Sequence, residues 1–364
     1  MKVLDFMNTH KNWEELLSQQ PYNIKVKRDG DYILLKYNQL SSDFSNEIVR
    51  ECRGSIFCID TNGKYACMCR AFDKFGNYGE SYTAEIDWNS VVVEEKVDGS
   101  LIKFWFDGDD WQIATNGTIN AFKAFVGDTD LSFGDLVCDA LECECIEDFF
   151  NNLDTRYNYM FELVSPKSRA TISYPETKLY YLGQRNLVTM KEVKLYEPWM
   201  HDFGILFPKC YNLNTLNACL EYVKTMTKDE EGFVIRDKNF NRMKLKSPEY
   251  LLAFHMNNNG AITTKRIIEM IKNEQIDDFV AYCPEYKDMV DHVIEFINSI
   301  SVGMESSWNA HMLNLNKKEL AHLIKNCNYK DFLFKKYDNN DLKAIDFIMS
   351  RPTSKIKDMI ERLK

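Results

Sequence analysis

The sequence predicts an α+β protein in which an antiparallel-sheet domain over residues 1–250 is followed by an all-α domain over residues 251–364. Up to about residue 246, short runs of β-branched and aromatic residues alternate with turn-forming residues, as in antiparallel sheets. Beyond about residue 249, apolar residues recur at helical spacing instead. The length of 364 residues also favours two domains, because a single hydrophobic core seldom fills so long a chain.

The first domain is predicted to consist mainly of β-hairpins. Its strand-forming runs are 32–37, 54–59, 91–96, 101–106, 111–115, 160–164, 178–182, 232–236 and 242–246. The segments Asp60–Gly63 and Asp107–Asp110 have the composition of hairpin turns, so the run 101–106 should pair with 111–115. Residues 133–153 interrupt the strands with a helical pattern. After residue 249, apolar periodicity predicts amphipathic helices at 267–271, 289–297 and 320–324.

The composition is that of a globular protein, with 45% apolar and 27% charged residues. No apolar run reaches the roughly 18 residues that a membrane span needs, and the first residues lack the apolar core of a secretory signal. The odd number of cysteines, 11, then indicates reduced thiols, so we expect a cytoplasmic protein. The pairs Cys67/Cys69 and Cys143/Cys145 have C-x-C spacing, which argues against a zinc site.

Lys96 is a candidate nucleophile because it ends a hydrophobic strand and precedes the turn-forming pair Asp98-Gly99. Such a position can place a lysine at the floor of a pocket. A lysine amine attacks only when it is neutral, and burial and neighbouring cations favour that form. The segment taken alone fits an ordinary hairpin with an exposed lysine better, since Asp-Gly is a common turn.

Two further lysines and an acid strengthen the case for phosphate chemistry. Lys244 and Lys246 lie two residues apart in a strand and therefore share a face, where they could hold a triphosphate and neutralise charge at its α-phosphate. Glu231 precedes Gly232 and a buried strand, and its carboxylate could hold a divalent cation. The alternatives are a solvated strand face for the two lysines and a charged turn for the acid.

Glu162 and Arg53 are also candidates for a nucleotide site. Glu162 lies between apolar neighbours in a strand, so its carboxyl needs a partner, either a ribose hydroxyl or an arginine such as Arg185. Arg53 stands beside Gly54 at a strand start, where its guanidinium could bind a phosphate through two hydrogen bonds. A surface ion pair is the alternative for Arg53.

Taken in order, these motifs resemble those of the covalent nucleotidyltransferase superfamily, which contains DNA ligases, RNA ligases and mRNA capping enzymes. The details are similar to the T-even bacteriophage RNA ligase 1 family over about residues 30–250. The stretches that carry this resemblance are 35–39, 50–54, 72–75, 96–100, 161–164, 231–234 and 244–250. The first domain is accordingly identified as a ligase adenylation domain.

The resemblance implies a role for each candidate residue. Lys96 would attack ATP and carry AMP, with Glu231 in the catalytic site, and the cofactor would be accompanied by Mg²⁺ or Mn²⁺. The implied ATP-binding residues are Tyr37, Arg53, Lys74, Glu162, Lys244 and Lys246. Tyr250 would act in the later RNA steps. A metal ligand could also come from the helical domain, where Asp277 is a candidate and a solvated helix end is the alternative.

The expected activity is the joining of 5′-phosphate and 3′-hydroxyl RNA ends. Cleaved tRNA is the substrate that the resemblance suggests, with the helical domain in tRNA recognition and a separate polynucleotide kinase healing the ends. We expect a monomer, because no coiled-coil seam is present, and host cytoplasm if the source is viral. The net charge of −10 argues against a nucleic-acid binder, so any phosphate-binding surface must be local.

Three alternatives remain at the sequence level. DNA ligases and capping enzymes usually carry an oligonucleotide-binding barrel after the final motif, and the helical pattern here disfavours both. A catalytically decayed RNA-binding module is the third, against which the intact Lys96, Glu231, Lys244 and Lys246 argue. One departure from the family is the loop Thr115–Thr118, which has Asn116 where a basic or Ser-rich motif is expected.

Overall fold

A computed structural model describes residues 1–39, 41–127, 129–168, 171–251, 262–272, 275–282 and 286–362. The chain divides into two compact units, Met1–Asn257 and Asn258–Lys364. The first unit contains the sheets and the second contains helices, so the predicted α+β class is confirmed. None of the described helices is long and apolar enough to cross a membrane.

Sheet 1 is a meander of four antiparallel strands in the order β1-β2-β3-β4. Its strands are β1 Ile24–Asp29, β2 Tyr32–Tyr37, β3 Arg53–Ile59 and β4 Tyr65–Cys69. One face is covered by α1 Lys2–Thr9, α2 Trp13–Ser18 and α3 Glu47–Glu51. Because alternate residues of a strand face opposite sides, the buried Ile33 and Leu35 point into this core while Leu34 points to the other face.

Sheet 2 has five antiparallel strands in the order β10-β9-β8-β6-β7. Its strands are β6 Ser100–Phe106, β7 Trp111–Thr115, β8 Tyr157–Val164, β9 Lys178–Asn186 and β10 Glu192–Val193. β6 pairs with β7, as the turn composition predicted. The largest apolar cluster lies against this sheet and includes Phe104, Phe149 and Phe161.

The helical pattern predicted over residues 133–153 is confirmed, and the structure divides this segment into two helices. They are α4 Phe133–Ala140 and α5 Ile146–Phe150. Leu141 adopts an extended conformation, and the backbone N–H of Glu142 donates to the carbonyl of Phe203 at 3.2 Å. The apolar periodicity continues through the break because both helices pack on the same core.

Sheet 3 brings together strands that are distant in sequence, in the order β11-β5-β12-β13. Its strands are β5 Val92–Glu95, β11 Cys210–Tyr211, β12 Gly232–Arg236 and β13 Arg242–Lys246. The register places Phe233 of β12 opposite Glu95 of β5 and Gly232 opposite Lys246 of β13. The end of β5, the start of β12 and the end of β13 therefore meet at one edge, and α6 Leu216–Val223 packs against the sheet.

A buried ion cluster ties sheet 2 to sheet 3. Glu192 of β10 pairs with Arg185 of β9 and, at 2.6 Å, with Arg242 of β13. The three side chains are each less than one tenth exposed, and the Arg242 guanidinium also lies over the Phe72 ring at 4.2 Å. This cluster fixes β13 relative to the neighbouring sheet.

The described residues of the second unit, 262–272, 275–282 and 286–362, form helices joined by turns and loops. Its α-helices are α7 Thr264–Lys272, α8 Ile276–Tyr282, α9 Lys287–Ser306, α10 Lys317–Leu323, α11 Lys330–Asp338, α12 Ala344–Ser350 and α13 Thr353–Glu361. The long helix α9 buries Val290, Val293 and Ile297 along one face. This spacing of three and four residues is the one that the sequence pattern predicted.

We predict that Glu192→Gln lowers the free energy of unfolding by about 3 kcal/mol, because it leaves two buried guanidinium groups without a counter-charge. Urea unfolding measures the change. The matched control is Glu221→Gln, which removes an exposed pair with Lys224 and should cost less than about 1 kcal/mol. Equal losses in the two variants would contradict a stabilising role for the buried cluster.

Candidate active site

Lys96 lies directly after β5, at the edge where three strands of sheet 3 meet. Its backbone N–H donates to the carbonyl of Gly232 at 2.9 Å, which continues the pairing of β5 with β12. Its Nζ donates to Oε2 of Glu231 at 2.7 Å. The Lys96 side chain is 20% exposed and that of Glu231 only 2%, so the alternative of an exposed hairpin lysine is wrong.

Lys246 approaches the same carboxylate from β13. Its Nζ lies 2.8 Å from Oε1 of Glu231, so each carboxylate oxygen faces one ammonium group. Burial by itself raises the pKa of Glu231, but the charges of Lys246 and Lys96 outweigh it and lower that pKa below its ordinary value. Glu231 is therefore an ionised carboxylate inside the fold, and it is not the charged turn that the sequence left as an alternative.

Two glycines allow the strands to approach this closely. Gly232 has a φ of +137°, and a Cβ there would lie 2.1 Å from the carbonyl oxygen of Leu245. A Cβ on Gly99 would lie 2.4 Å from the carbonyl oxygen of Leu163. In each of the pairs Glu231-Gly232 and Asp98-Gly99, a buried acid is followed by a glycine. A side chain at the glycine position would clash with the backbone of the neighbouring strand.

Asp98 anchors a loop to the wall of the site. Its Oδ2 accepts hydrogen bonds from the backbone N–H groups of Thr171 and Ile172 at 2.8 and 2.9 Å. Its own N–H donates to the Tyr174 hydroxyl oxygen at 3.1 Å. Burial, followed by the charge of Glu231, raises the pKa of Asp98. Asp98 therefore positions the segment that follows Lys96, a function that the Lys-x-Asp-Gly pattern alone does not reveal.

Glu162 lies on β8, where it pairs with Leu101, and is partly exposed. Burial of its carboxyl raises its pKa to about 7, although the positive charges of Lys96 and Arg53 oppose this shift. Arg185, the alternative partner expected from the sequence, binds Glu192 instead. Glu162 is thus a carboxyl group beside Lys96 that is only partly ionised at neutral pH.

Phe75 stands between two of the predicted cations. The Arg53 guanidinium lies 6.0 Å from the centre of its ring, and Lys244 Nζ lies 5.8 Å from it. The sequence analysis did not select Phe75, although it directly follows Lys74 in one of the stretches that carry the family resemblance. Its ring lies within cation–π distance of both groups.

Lys74 and Tyr37 are brought together, as parts of a second aromatic–cation group. Lys74 Nζ lies 4.9 Å from the centre of the Phe44 ring and 5.6 Å from that of Tyr37. Both Lys74 and Tyr37 are buried. The backbone N–H of Lys74 donates to the carbonyl of Arg50 at 2.9 Å, which holds this segment beside sheet 1.

Arg53 and Gly54 begin β3. The Arg53 Nη1 atom is buried without a hydrogen-bond partner. Gly54 has a φ of +74°, and a Cβ there would lie 2.6 Å from the carbonyl oxygen of Asn116. The fully buried Lys103 donates its Nζ to the Gly54 carbonyl, and burial lowers the pKa of Lys103 to about 8. A lysine inside the hydrophobic run 101–106 is the sequence signal for this contact, which the sequence analysis missed.

Lys244 and Tyr250 complete the wall formed by β13 and the turn after it. The backbone of Lys244 exchanges hydrogen bonds with Gly76 and Tyr78 at 2.9 and 2.8 Å, which adds that segment to the sheet edge. Tyr250 is 1% exposed, and Lys246 Nζ lies 5.4 Å from the centre of its ring. Lys244 and Lys246 are also buried, so the alternative of a solvated strand face is wrong.

Asp277 lies on α8 in the second unit, Asn258–Lys364. Among the residues that the structure describes, no group of three or more His, Cys, Asp or Glu side chains could hold a metal ion. A metal-binding role for Asp277 therefore stays a prediction.

In the first unit, Lys96 is thus held by a buried carboxylate that also binds Lys246, with further basic side chains on neighbouring segments. Comparison with known proteins shows the family: the RNA ligase profile of the T4 RNA ligase 1 type matches residues 51–250, and the chain belongs to that family.

Two viral proteins are similar to most of the chain. A putative bifunctional polynucleotide kinase/RNA ligase of Autographa californica nuclear polyhedrosis virus is 29% identical over 359 residues, which are 92% of this chain and 50% of that protein. The chain thus spans half the length of this relative. An RNA ligase of Rhodothermus phage RM378 is 23% identical over 367 residues, covering 84% of this chain and 82% of that protein.

Among solved structures, an archaeal ATP-dependent RNA ligase aligns with a TM-score of 0.47 and 13% identity. The alignment covers 83% of this chain and 82% of the archaeal chain.

We predict a pH dependence of stability that Glu162→Gln removes. The pKa of Glu162 is about 7 in the folded chain, above its ordinary value. Its contribution to stability is therefore fully present below the ordinary carboxyl pKa and is lost as pH rises through about 7. In urea unfolding, the free energy of unfolding of the natural chain should therefore fall, relative to that of the glutamine variant, as pH rises from about 4 to about 8. A stability difference that stays constant from about pH 4 to about pH 8 would contradict the shift.

Proposed function

We propose that the chain is an ATP-dependent RNA ligase that joins 5′-phosphate and 3′-hydroxyl RNA ends through a covalent Lys96–AMP intermediate. The observation that carries the proposal is the contact of Lys96 Nζ with Glu231, whose other oxygen faces Lys246. This contact supports the proposal because it joins a lysine amine, an ionised carboxylate and a second cation. Membership of the RNA ligase family supports the assignment.

Separate groups are assigned to the ribose and to the phosphates of ATP. Glu162 is assigned to the ribose hydroxyls, since it is a partly exposed carboxyl beside Lys96. Arg53 is assigned to the phosphates, because its Nη1 is buried without a hydrogen-bond partner and a phosphate oxygen would satisfy it. Tyr37 and Lys74 are assigned to further ATP contacts because Lys74 Nζ lies 5.6 Å from the centre of the Tyr37 ring, at the end of β2 in sheet 1.

In the first step, Lys96 Nζ attacks the α-phosphorus of ATP. An N–P bond forms, the bond from the α-phosphorus to the bridging oxygen breaks, and pyrophosphate leaves. The amine must first release its proton to solvent and lose its ion pair with Glu231, because a hydrogen-bonded ammonium has no lone pair to donate. Lys246 and Lys244 then neutralise the charge that develops on the phosphate oxygens.

The second and third steps transfer and release AMP. An oxygen of the RNA 5′-phosphate attacks the phosphorus of Lys96–AMP, and the N–P bond breaks. The 3′-hydroxyl oxygen of the other end then attacks the RNA 5′-phosphorus. The bond from that phosphorus to the oxygen that bridges it to AMP breaks, AMP leaves, and the hydroxyl proton passes to solvent. Tyr250, packed under Lys246, is assigned to these RNA steps. Such transfers depend mainly on positioning and charge neutralisation.

One carboxylate of this site, Glu231, could hold a divalent cation, Mg²⁺ or Mn²⁺, together with ATP. Mg²⁺ is commonly held by one or two carboxylates together with the phosphates of the substrate. Glu231 is the carboxylate in contact with Lys96, and it would hold the ion together with ATP. The ion would supply positive charge to the phosphates.

The name of one relative supports a proposal for the partners of this chain. The baculovirus relative is named as a kinase as well as a ligase, and this chain matches half of its length. We assign RNA ends, including cleaved tRNA, as substrates, prepared by an end-healing polynucleotide kinase. The first unit would carry adenylylation, and the second unit would recognise RNA. The described residues of the second unit are helical, which favours an RNA ligase over enzymes that carry an oligonucleotide-binding barrel.

We predict that the purified protein takes up label from α-labelled ATP with Mg²⁺ and keeps it on a denaturing gel. Lys96→Ala should abolish labelling, because the amine that forms the N–P bond is missing. The matched control is Lys238→Ala, which removes an exposed lysine of the same unit and should be labelled like the natural chain.

Pyrophosphate should remove the label by reversing the first step. Label on Lys96→Ala would contradict the assignment of the nucleophile. Label from GTP instead of ATP would indicate capping chemistry, and no label from either nucleotide would leave a binding module.

A further inference from the structure

Basic side chains form a row across one face of sheet 1. The register places Lys25 of β1 opposite Lys36 of β2, and Lys36 opposite Arg53 of β3. Directly opposed residues of antiparallel strands share a face, and Lys27 shares it too because it lies two residues after Lys25. We call Lys25, Lys27 and Lys36 the basic row; Arg53 lies at its inner end.

The basic row occupies the more exposed end of this face of sheet 1. Farther along the strands, the same face buries Leu34 against Trp105 and Ala114 of sheet 2. Lys25 and Lys36 are partly exposed and Lys27 is exposed. Lys27 Nζ donates to the carbonyl of Gly117 at 2.6 Å, so the row borders the loop Thr115–Thr118.

The basic row brings lysine side chains next to the loop Thr115–Thr118, which contains no basic residue. The loop has Asn116 where a basic or Ser-rich motif was expected, and the backbone of Asn116 lies against Gly54, next to Arg53. The acid that follows Lys27 on this face, Asp29, has its carboxylate bound by Lys123 at 2.7 and 2.8 Å. In a chain with a net charge of −10, the basic row and Arg53 group four basic side chains at one end of sheet 1.

We propose that the basic row binds the phosphate backbone of an RNA strand beside the catalytic pocket. The inference rests on the proposed ligase function and deepens it. Neighbouring strands are about 4.8 Å apart, so the row extends roughly 10 Å from Arg53 to Lys25 along the sheet. ATP phosphates bound at Arg53 would occupy the inner end only. A nucleic-acid strand carries one charge per nucleotide, which matches cations repeated along such a row.

The test is the triple variant Lys25→Ala/Lys27→Ala/Lys36→Ala, assayed as the full chain. Binding of a fluorescent single-stranded RNA with a 5′-phosphate is measured against salt concentration. Losing three phosphate contacts should reduce the slope of log affinity against log salt by about 2 and weaken binding at low salt by about tenfold or more. Labelling from α-labelled ATP should stay within about twofold of the natural chain, because the row does not contact Lys96.

Two control variants separate charge at this place from charge in general. Lys11→Ala/Lys64→Ala/Lys191→Ala removes three exposed lysines elsewhere in the first unit and should leave the salt slope unchanged. Lys25→Arg/Lys27→Arg/Lys36→Arg keeps the charges and should retain RNA binding. Thermal unfolding confirms that each variant is folded before its binding is compared.

Three outcomes would overturn part of the account, and they are distinguishable. An unchanged RNA affinity and salt slope in the alanine variant would show that the row does not bind RNA. Loss of ATP labelling with unchanged RNA binding would assign the row to the nucleotide instead and would also contradict the proposal. A natural chain that binds RNA through the row but takes no label from ATP would refute the ligase function and leave the RNA-binding surface standing.

Discussion

The double ion pair of Glu231 is the interaction on which the rest of the site depends. A carboxylate with only 2% of its side chain exposed loses most of its hydration, and the charges of Lys96 and Lys246 must offset that loss. The three residues come from the start of β12, the end of β5 and the end of β13. The contact therefore forms only when these strands hold their register, and Gly232 lets the backbones approach closely enough.

Two further buried ion clusters support that edge of sheet 3. Glu94, two residues before Lys96, binds Lys194 at 2.7 Å and Arg236 at 3.1 Å. These cations lower the pKa of Glu94 although burial opposes them, so the cluster stays charged. Glu192 and Arg242 form the other cluster and tie β13 to sheet 2. Charged groups in the interior thus align the strand ends that hold Lys96, Glu231 and Lys246.

Much of this arrangement could be predicted from local sequence. The bounds of β12 and β13 follow from short hydrophobic runs beside turns, and the spacing of Lys244 and Lys246 predicts a shared face. Contacts across strands could not be predicted, because they depend on register: Lys103 reaching Gly54, Phe75 between two cations, and the alignment of Lys36 with Arg53. The break between α4 and α5 was missed because the apolar spacing continues through it.

The central claim is that Lys96, and no other lysine of the site, carries AMP. Lys246 and Lys244 are buried nearby, and Lys103 is a buried lysine whose pKa is lowered to about 8, so each is a chemically reasonable competitor. The direct measurement is peptide mapping by mass spectrometry after incubation with ATP and Mg²⁺. The account predicts an AMP adduct on Lys96 alone. An adduct on Lys103, Lys244 or Lys246 would contradict it.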